Sequence, residues 1–177
     1  MLLALGEGES VARKSKLLNR NDLSTIMERT FVMIKPDGIQ KHLVGEIIKR
    51  IEDKKLKITD IKKTRMSPIQ FKKLYSHVYV KYPKIVRPLF SFLTKHDVIV
   101  MVIGGRNAIS EMQKIRGPSN PAMAPKGTIR GDFAKDQDQN KLYLQGKVTK
   151  NIIHSSDNRK QTNYEIKIFF QKISDEN

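Results

Sequence analysis

The sequence predicts an α+β fold: an antiparallel sheet in a split βαβ arrangement, with helices packed on one face of it. Two observations lead to this class. Short apolar runs alternate with stretches of helical periodicity in the order β-α-β-α-α-β-α-loop-β-α. The chain has 177 residues, which is the size of one domain and enough for a proper apolar core.

The composition favours an anionic ligand. Lys and Arg number 34 against 18 Asp and Glu, so the formal net charge is +16. Such a balance attracts nucleotides, nucleic acid or acidic lipid, although a lysine-rich solvated surface gives the same number. The chain has no cysteine, which excludes disulfides, thiolate zinc sites and a cysteine nucleophile. Its apolar runs are all far shorter than the roughly 20 residues of a membrane-spanning helix.

Residues 1–29 are expected to form a flexible N-terminal extension in front of a domain at 30–173. The apolar residues 2–5 are too few for a secretory signal, and no basic residue precedes them. Two early glutamates weaken the alternative of a mitochondrial leader, but the basic residues that follow keep that alternative open. We expect a cytoplasmic protein.

The first half of the domain can be divided by its apolar periodicity. Residues 31–34 form a continuous apolar run, and residues 35–38 predict a turn directly after this first strand. Apolar residues spaced i, i+3, i+4, i+7 over 44–51 predict the first helix. A second strand begins at Leu56 and ends before Ser67.

The second half contains more helix and one long loop. In chain order we predict a helix at 68–82 that Pro83 stops or bends, a short helix at 85–94, a central strand at 98–103, a helical face at 108–115, an ordered loop at 117–131, a last strand at 148–153 and a last helical face at 166–173. The polar residues 134–147 are expected to form a hairpin or an excursion from the core. The loop at 117–131 has three glycines and three prolines, and ordered loops of this length are usually functional.

The segment 151–157 is the strongest candidate for chemistry. His154 is placed where the last strand should end, and Ser156, Asp157 and Asn158 are candidate N-caps of the next helix. A helix N-terminus attracts anions through its free N–H groups and its dipole. His154 therefore lies where a phosphate would bind, although a surface histidine beside a cap is the simpler alternative.

Other polar residues could join this histidine. Lys35 closes the first strand, and Arg130 stands between two glycines that let its guanidinium point inward; both residue types bind phosphate. Asn151 lies three residues before His154, so on a regular strand the two side chains face opposite ways unless a bulge or turn intervenes. Glu165 could hydrogen-bond the histidine ring and fix its tautomer. Taken singly, each of these residues could be an ordinary surface residue.

Several other kinds of site are not indicated. The sequence has no Walker loop, no HExxH, no GxSxG and no cluster with metal-ligand spacing. The remaining histidines lack comparable surroundings and are expected to be surface or packing residues: His42, His77 and His96. Three tyrosines among lysines could stack on single-stranded nucleic acid or pack within a helix: Tyr75, Tyr79 and Tyr82.

Four segments stand out when they are taken together. They are residues 28–38 (ERTFVMIKPDG), 43–50 (LVGEIIKR), 127–133 (GTIRGDF) and 151–157 (NIIHSSD). In their order and spacing they closely resemble the nucleoside diphosphate kinase family, and the resemblance covers about residues 28–171. It implies a ferredoxin-like antiparallel sheet. It also implies an enzyme that moves the γ-phosphoryl of a nucleoside triphosphate to a nucleoside diphosphate by a ping-pong mechanism.

The resemblance implies roles for individual residues. His154 would be the nucleophile, through its Nδ1, and Glu165 together with Ser156 would orient it. Lys35 would contact the ribose hydroxyl and a phosphate, while Asn151 would bind the ribose 3′-hydroxyl.

Further contacts to the nucleotide follow from the same resemblance. Arg130 would contact the phosphates, and Ser119 would do so in place of the family's usual threonine. Ile85 is the best match to the aromatic residue that stacks on the base, with Val148 on the other face of the base. Mg²⁺ would bridge the nucleotide phosphates with few direct protein ligands. The partners would be ATP and other nucleoside di- and triphosphates, and the protein would form a hexamer or tetramer.

Departures from the family pattern affect the expected site. Gln113 stands where a second phosphate-binding arginine is expected, and Lys114 and Arg116 are the candidates to compensate for it. Residues 134–147 are longer than in many members and are expected to lie close to the nucleotide entrance. The charge missing at Gln113 and the overall charge of +16 support an alternative. This is a nucleotide- or nucleic-acid-binding protein on the same fold with weak or no kinase activity.

Overall fold

The fold is built on a sheet of four antiparallel strands. The computed structural model describes residues 27–170, so the expectations for residues 1–26 and 171–177 lie outside the described residues. The strands of this part are β1 (Glu28–Ile34), β2 (Lys57–Arg65), β3 (Asp97–Gly105) and β4 (Ile153–Ser155). Their order across the sheet is β2-β3-β1-β4, and each neighbouring pair is antiparallel. This confirms the predicted split βαβ arrangement.

Helices connect and cover these strands. In the described part of the chain they are α1 (Pro36–Gln40), α2 (Val44–Asp53), α3 (Pro68–Leu74), α4 (Ser76–Lys81), α5 (Val86–Thr94), α6 (Ala108–Arg116), α7 (Ile129–Phe133), α8 (Gln139–Leu144) and α9 (Arg159–Phe170), with 3₁₀ turns at Pro83–Ile85 and Pro121–Met123. The start of α3 is well defined by sequence, because Ser67 and Gln70 form a capping box around Pro68 in the first turn.

Apolar cores lie on both faces of the sheet. In β1, Val32 and Ile34 belong to a core shared with α2 and α6, whereas Phe31 and Met33 belong to a core shared with α3, α5 and α9. The expectation that helices cover only one face was therefore wrong. A strand that is covered on both sides is apolar at every position, which explains why residues 31–34 show no alternation.

Capping determines the structure of the polar segment 134–147. It contains α8 and not a hairpin. The Asp138 carboxylate accepts hydrogen bonds from the backbone N–H groups of Asn140 and Lys141, and Gly146, with a φ of 66°, follows the helix in the left-handed region. These two local signals outweigh the polar composition that suggested an excursion.

Other boundaries also differ from the sequence prediction. The single helix expected at 68–82 is two helices, α3 and α4, because Tyr75 between them has the non-helical angles φ −111° and ψ 21°. The turn expected after β1 is the short helix α1. The loop expected at 117–131 ends in α7, where a Cβ on Gly131 would lie 1.9 Å from the Pro125 carbonyl oxygen. Glycine at this position lets the helix pack against the loop.

The bounds of two strands differ as well. β1 begins at Glu28, three residues before the apolar run 31–34 that predicted it. The last strand, expected at 148–153, is β4 and begins only at Ile153. The reason is a tight turn before it: Ile152 has a φ of 69°, and the Ile153 N–H donates to the Asn151 carbonyl oxygen at 2.7 Å.

Candidate active site

A cleft of about 200 Å³ collects most of the residues singled out from the sequence. Its polar lining includes Lys35, Arg116, Ser119, Arg130, Asn151 and His154. Its aromatic and aliphatic lining includes Tyr75, Val78, Tyr82, Ile85, Leu89, Tyr143 and Val148. The cleft therefore joins a cationic group of side chains to an apolar one, which is the arrangement a ligand with a charged and a flat apolar part requires.

His154 is held on one side and accessible on the other. It lies in β4 opposite Met33, and its side chain is 21% exposed. Its Nε2 is 3.0 Å from Glu165 Oε1, and Ser156 Oγ donates to Glu165 Oε2 at 2.5 Å. Because an ionised carboxylate only accepts hydrogen bonds, Nε2 carries the proton and Nδ1 keeps its lone pair. Nδ1 is thus the ring nitrogen whose lone pair is not engaged by Glu165.

The turn at Ile152 places Asn151 on the same cleft as His154. Without it, the two side chains would face opposite sides of a regular strand. A positive φ is strained for a β-branched residue, so the surroundings must hold it. The Ile152 N–H donates to Asp37 Oδ2 at 2.8 Å, and the Lys35 N–H donates to the Ile152 carbonyl oxygen at 2.8 Å. Gly38 allows this close approach, since a Cβ there would lie 3.1 Å from the same carbonyl oxygen.

Lys35 is a buried cation. Its side chain is nearly covered, and its Nζ donates to Asn151 Oδ1 at 2.8 Å. Burial, together with the nearby Arg130 and Arg116 charges and against the opposing effect of Asp37, lowers the pKa of Lys35 to about 8. The ammonium is therefore still charged at neutral pH, but the acidic groups around it do not fully balance its positive charge. An anionic ligand would supply the missing charge.

Arg130 fastens three backbone segments together. Its guanidinium is buried and donates to the carbonyl oxygens of Gly117, Pro118, Asn151 and Ile153 at 2.7 to 3.3 Å. Within residues 27–170, four of the five guanidinium N–H groups are used in this way, so one remains for a ligand. Burial lowers the pKa of Arg130, and the Arg116 charge adds to that effect. Arg130 therefore contributes its charge and one donor, and it also fixes the shape of the cleft.

Arg116 brings a positive charge to the cleft three residues after Gln113. The Gln113 amide donates to the Asp157 carbonyl oxygen at 3.0 Å and supplies no charge. One helical turn later, Arg116 lines the cleft and donates to the Ser155 carbonyl oxygen at 2.7 Å and to Asp157 Oδ1 at 3.0 Å. Lys114, by contrast, is 69% exposed and bonds Glu111 at 2.7 Å beside a different hollow. Of the two candidates to compensate for the missing arginine, only Arg116 reaches the cleft.

Sequence reasoning missed two aromatic groups near the histidine. The Tyr75 ring centroid is 6.5 Å from that of His154, and its buried hydroxyl has no hydrogen-bond partner among the described residues. Burial and the Glu165 charge raise the pKa of Tyr75, so its hydroxyl keeps its proton. His77, expected to be a surface or packing residue, lines the cleft, and its pKa is lowered by burial and by His154. No sequence pattern distinguishes these two residues from helix packing.

The described residues do not form a metal-binding cluster of side chains by themselves. No group of three or more His, Asp or Glu side chains within residues 27–170 is arranged to hold one. Among the same residues, no helix combines the length and the apolar character needed to cross a bilayer.

An antiparallel sheet of this order, with a carboxylate-held histidine beside buried and half-buried cations, is typical of an α+β protein that binds phosphate groups. A family model for nucleoside diphosphate kinase matches residues 28–174. The chain is 38% identical over 146 residues to the nucleoside diphosphate kinase of Sulfurisphaera tokodaii, covering 82% of this chain and 90% of that protein. It is 39% identical over 148 residues to that of Archaeoglobus fulgidus, covering 81% of this chain and 87% of that protein.

A solved structure agrees with these matches. The nucleoside diphosphate kinase of Borrelia burgdorferi, captured as a transition state mimic with bound vanadate and ADP, superposes with a TM-score of 0.77 at 28% identity, over 84% of this chain and 89% of that one. The chain belongs to the nucleoside diphosphate kinase family. The fold and the enzyme class expected from the resemblance are thereby confirmed.

Proposed function

We propose that the protein transfers the γ-phosphoryl group of a nucleoside triphosphate to a nucleoside diphosphate by a ping-pong mechanism through His154. The single observation that carries the proposal is the arrangement of this histidine. Its Nε2 is bound to Glu165, while the ring lines the same cleft as Lys35, Arg116 and Arg130. A nucleophile and a set of cations in one cleft suit phosphoryl transfer, which depends mainly on positioning and on charge stabilisation.

The first half-reaction forms one bond and breaks one. Nδ1 of His154 attacks the γ-phosphorus, the bond from that phosphorus to the bridging oxygen breaks, and the nucleoside diphosphate leaves. Nδ1 has no proton to lose, and the proton on Nε2 stays in its hydrogen bond to Glu165. The carboxylate then stabilises the positive charge that develops on the ring. The second half-reaction is the reverse, with a different nucleoside diphosphate as the acceptor.

The cations stabilise the phosphates before and during transfer. Lys35 offers an ammonium whose pKa is lowered by burial, so binding a phosphate offsets an existing electrostatic cost. After their contacts with the described residues, Arg116 retains two guanidinium N–H groups and Arg130 retains one. The Tyr75 hydroxyl, which has no partner in the described part of the chain, is a further donor close to the histidine. Donors that are fixed in a water-poor site stabilise developing charge without reorganisation.

The remaining predicted residues would hold the rest of the nucleotide. We propose that Asn151 binds the ribose 3′-hydroxyl, Ser119 a phosphate, and Ile85 with Val148 the base. Mg²⁺ would arrive bound to the nucleotide phosphates, because the cleft is cationic and the described residues hold no cluster of metal ligands. When bound, the ion neutralises part of the phosphate charge.

Phosphate labelling tests the proposal directly. The protein is incubated with γ-labelled ATP and Mg²⁺, denatured, and examined for label that is acid-labile and alkali-stable. Label is expected on the unaltered protein and not on His154→Ala, and it should pass to added GDP. Folded protein that takes up no label would overturn the proposed reaction. It would favour the binding-protein alternative, and steep salt dependence would then identify a phosphate-backbone ligand.

We further propose a cytoplasmic homo-oligomer, hexameric or tetrameric, on the strength of family membership alone. Light scattering on the purified chain would show its mass.

A further inference from the structure

The segment 134–147 forms part of the cleft wall. It carries α8, which places the side chains of Gln139 and Tyr143 in the lining, and Lys147 and Val148 follow directly. The segment 134–147 therefore contributes side chains to the lining of the site.

α8 is fixed at both ends. At its start, the Asn120 side chain accepts from the Gln139 N–H at 2.9 Å and donates to the Asp138 carboxylate at 3.4 Å. Asn120 follows Ser119, so the helix is tied to the connection that carries this proposed phosphate ligand. At its end, Gly146 closes a Schellman-type turn with a φ of 66°. A side chain on α8 can consequently present a defined surface to a ligand.

Tyr143 meets an aromatic residue from the opposite wall. The ring centroids of Tyr143 and Tyr82 are 5.4 Å apart and the ring planes are at 81°, which is an edge-to-face contact. The Lys84 ammonium lies 6.0 Å from the Tyr143 centroid. Both rings are partly exposed and line the cleft. In an edge-to-face pair at least one ring face remains free for another flat group.

A nucleotide base bound in the cleft would need such an aromatic surface to stack on. The residue best matched to a base-stacking aromatic is Ile85, which has no ring, and Val148 has none either. Tyr75 is buried next to His154, with 6.5 Å between ring centroids, and its hydroxyl is better placed to serve the phosphates. This leaves Tyr82 and Tyr143 as the tyrosines available to a base.

We propose that Tyr143, supported by Tyr82, forms the wall of the cleft that contacts the nucleotide base, and that this contact makes the protein favour purine over pyrimidine nucleoside diphosphates. The proposal rests on the proposed kinase function for the identity of the ligand. Its physical reason is that stacking on an aromatic ring gains with the area of the base, and a purine covers more of the ring. A wall made only of aliphatic side chains would give a smaller difference in affinity between purine and pyrimidine nucleoside diphosphates.

Calorimetric binding of three ligands to four proteins tests the proposal. The ligands are ADP, CDP and tripolyphosphate, which has no base. The proteins are the unaltered chain, Tyr143→Ala, Tyr143→Phe and, as the matched control on the same helix, Leu144→Ala, whose side chain is 74% exposed. Tyr143→Ala should weaken the binding of ADP by about tenfold and the binding of CDP by less, while the affinity for tripolyphosphate stays unchanged. Tyr143→Phe and Leu144→Ala should both resemble the unaltered chain.

Two results would overturn the inference. One is an unaltered ratio of ADP to CDP affinity in Tyr143→Ala. The other is an equal weakening of tripolyphosphate, which would mean that the substitution acts through Asn120 on the phosphate site. Neither measurement requires turnover. A chain that binds ADP but never labels His154 would therefore refute the proposed function while still deciding the role of Tyr143.

Discussion

Replacing Arg116 by glutamine is the most informative perturbation of the cleft. Arg116 stands one helical turn after the position where the family pattern expects a cation and this chain has Gln113. Its side chain is only 11% exposed, and its charge contributes to the lowered pKa values of Lys35 and Arg130. If it replaces the missing arginine, the loss of its charge should weaken nucleotide binding strongly and protein stability only slightly.

The magnitude follows from its hydrogen bonds. The guanidinium has five N–H groups, of which three donate to Gly117, Ser155 and Asp157. The two that remain can form at least one charge-assisted bond to a phosphate, which contributes about 1.5–3 kcal/mol. At about 1.4 kcal/mol per factor of ten, Arg116→Gln should weaken ADP binding by roughly 10- to 100-fold. Losing the bond to the buried Ser155 carbonyl should cost about 1 kcal/mol of unfolding free energy.

The assay compares KM for ADP and kcat across three variants, with urea unfolding as a stability check. Lys114→Gln removes the same charge from the same helix at a site that does not line the cleft, so it should behave like the unaltered protein. Gln113→Arg in the Arg116→Gln background should restore part of the affinity. The reasoning would be refuted if Arg116→Gln left KM unchanged, or if Lys114→Gln raised KM by as much.

Three further expectations concern positioning, charge and strain. Glu165→Gln should lower kcat by about tenfold with little change in KM, because it weakens a charge-assisted bond that orients the histidine; a change in KM alone would contradict this. Affinity for ADP should fall as pH rises through about 8, where Lys35 loses its proton. Arg116→Gln should move that fall to higher pH, because it removes a cation that lowers the pKa of Lys35. Measuring the Kd for ADP as a function of pH checks both expectations. Asp37→Ala should lower the unfolding free energy by about 2 kcal/mol in urea, since it leaves the Ile152 N–H buried without an acceptor, whereas Asp37→Asn keeps an acceptor and should cost less; equal losses would refute the role given to this bond.

The sheet could be predicted from sequence because its signals are local. The apolar run of β1 and the breakers around β3 mark strands directly, and the resemblance then supplied their order. The distribution of helices over both faces could not be predicted in the same way. It depends on which helix packs against which side of Phe31 to Ile34, and these are contacts between segments distant in the chain.

The candidate site likewise contains some features that could be predicted from sequence and others that could not. Lys35, Arg130 and His154, which line one cleft, could be singled out because their residue types and neighbours suggest phosphate chemistry. The turn at Ile152 was not predicted, since isoleucine is a poor residue for a positive φ and only the tertiary bonds to Asp37 and Lys35 hold it there.

The roles of Tyr75 and Tyr143 were also beyond sequence reasoning. A tyrosine in a lysine-rich helix is compatible with packing, stacking or exposure. The ring contacts to His154 and Tyr82 support the roles proposed for the two tyrosines, and these contacts exist only in the folded chain. α8 illustrates a different limit, because its capping residues Asp138 and Gly146 were present in the sequence but were outweighed by the polar composition around them.

The most direct measurement of the central claim is the position of the phosphoryl group on His154. Labelled protein is hydrolysed in alkali, and the phosphohistidine isomers are separated. Because Nε2 is 3.0 Å from Glu165 Oε1, the label should be found on Nδ1. In Glu165→Gln the amount of this isomer formed per second should fall. Label on Nε2, or on a residue other than His154, would contradict the account.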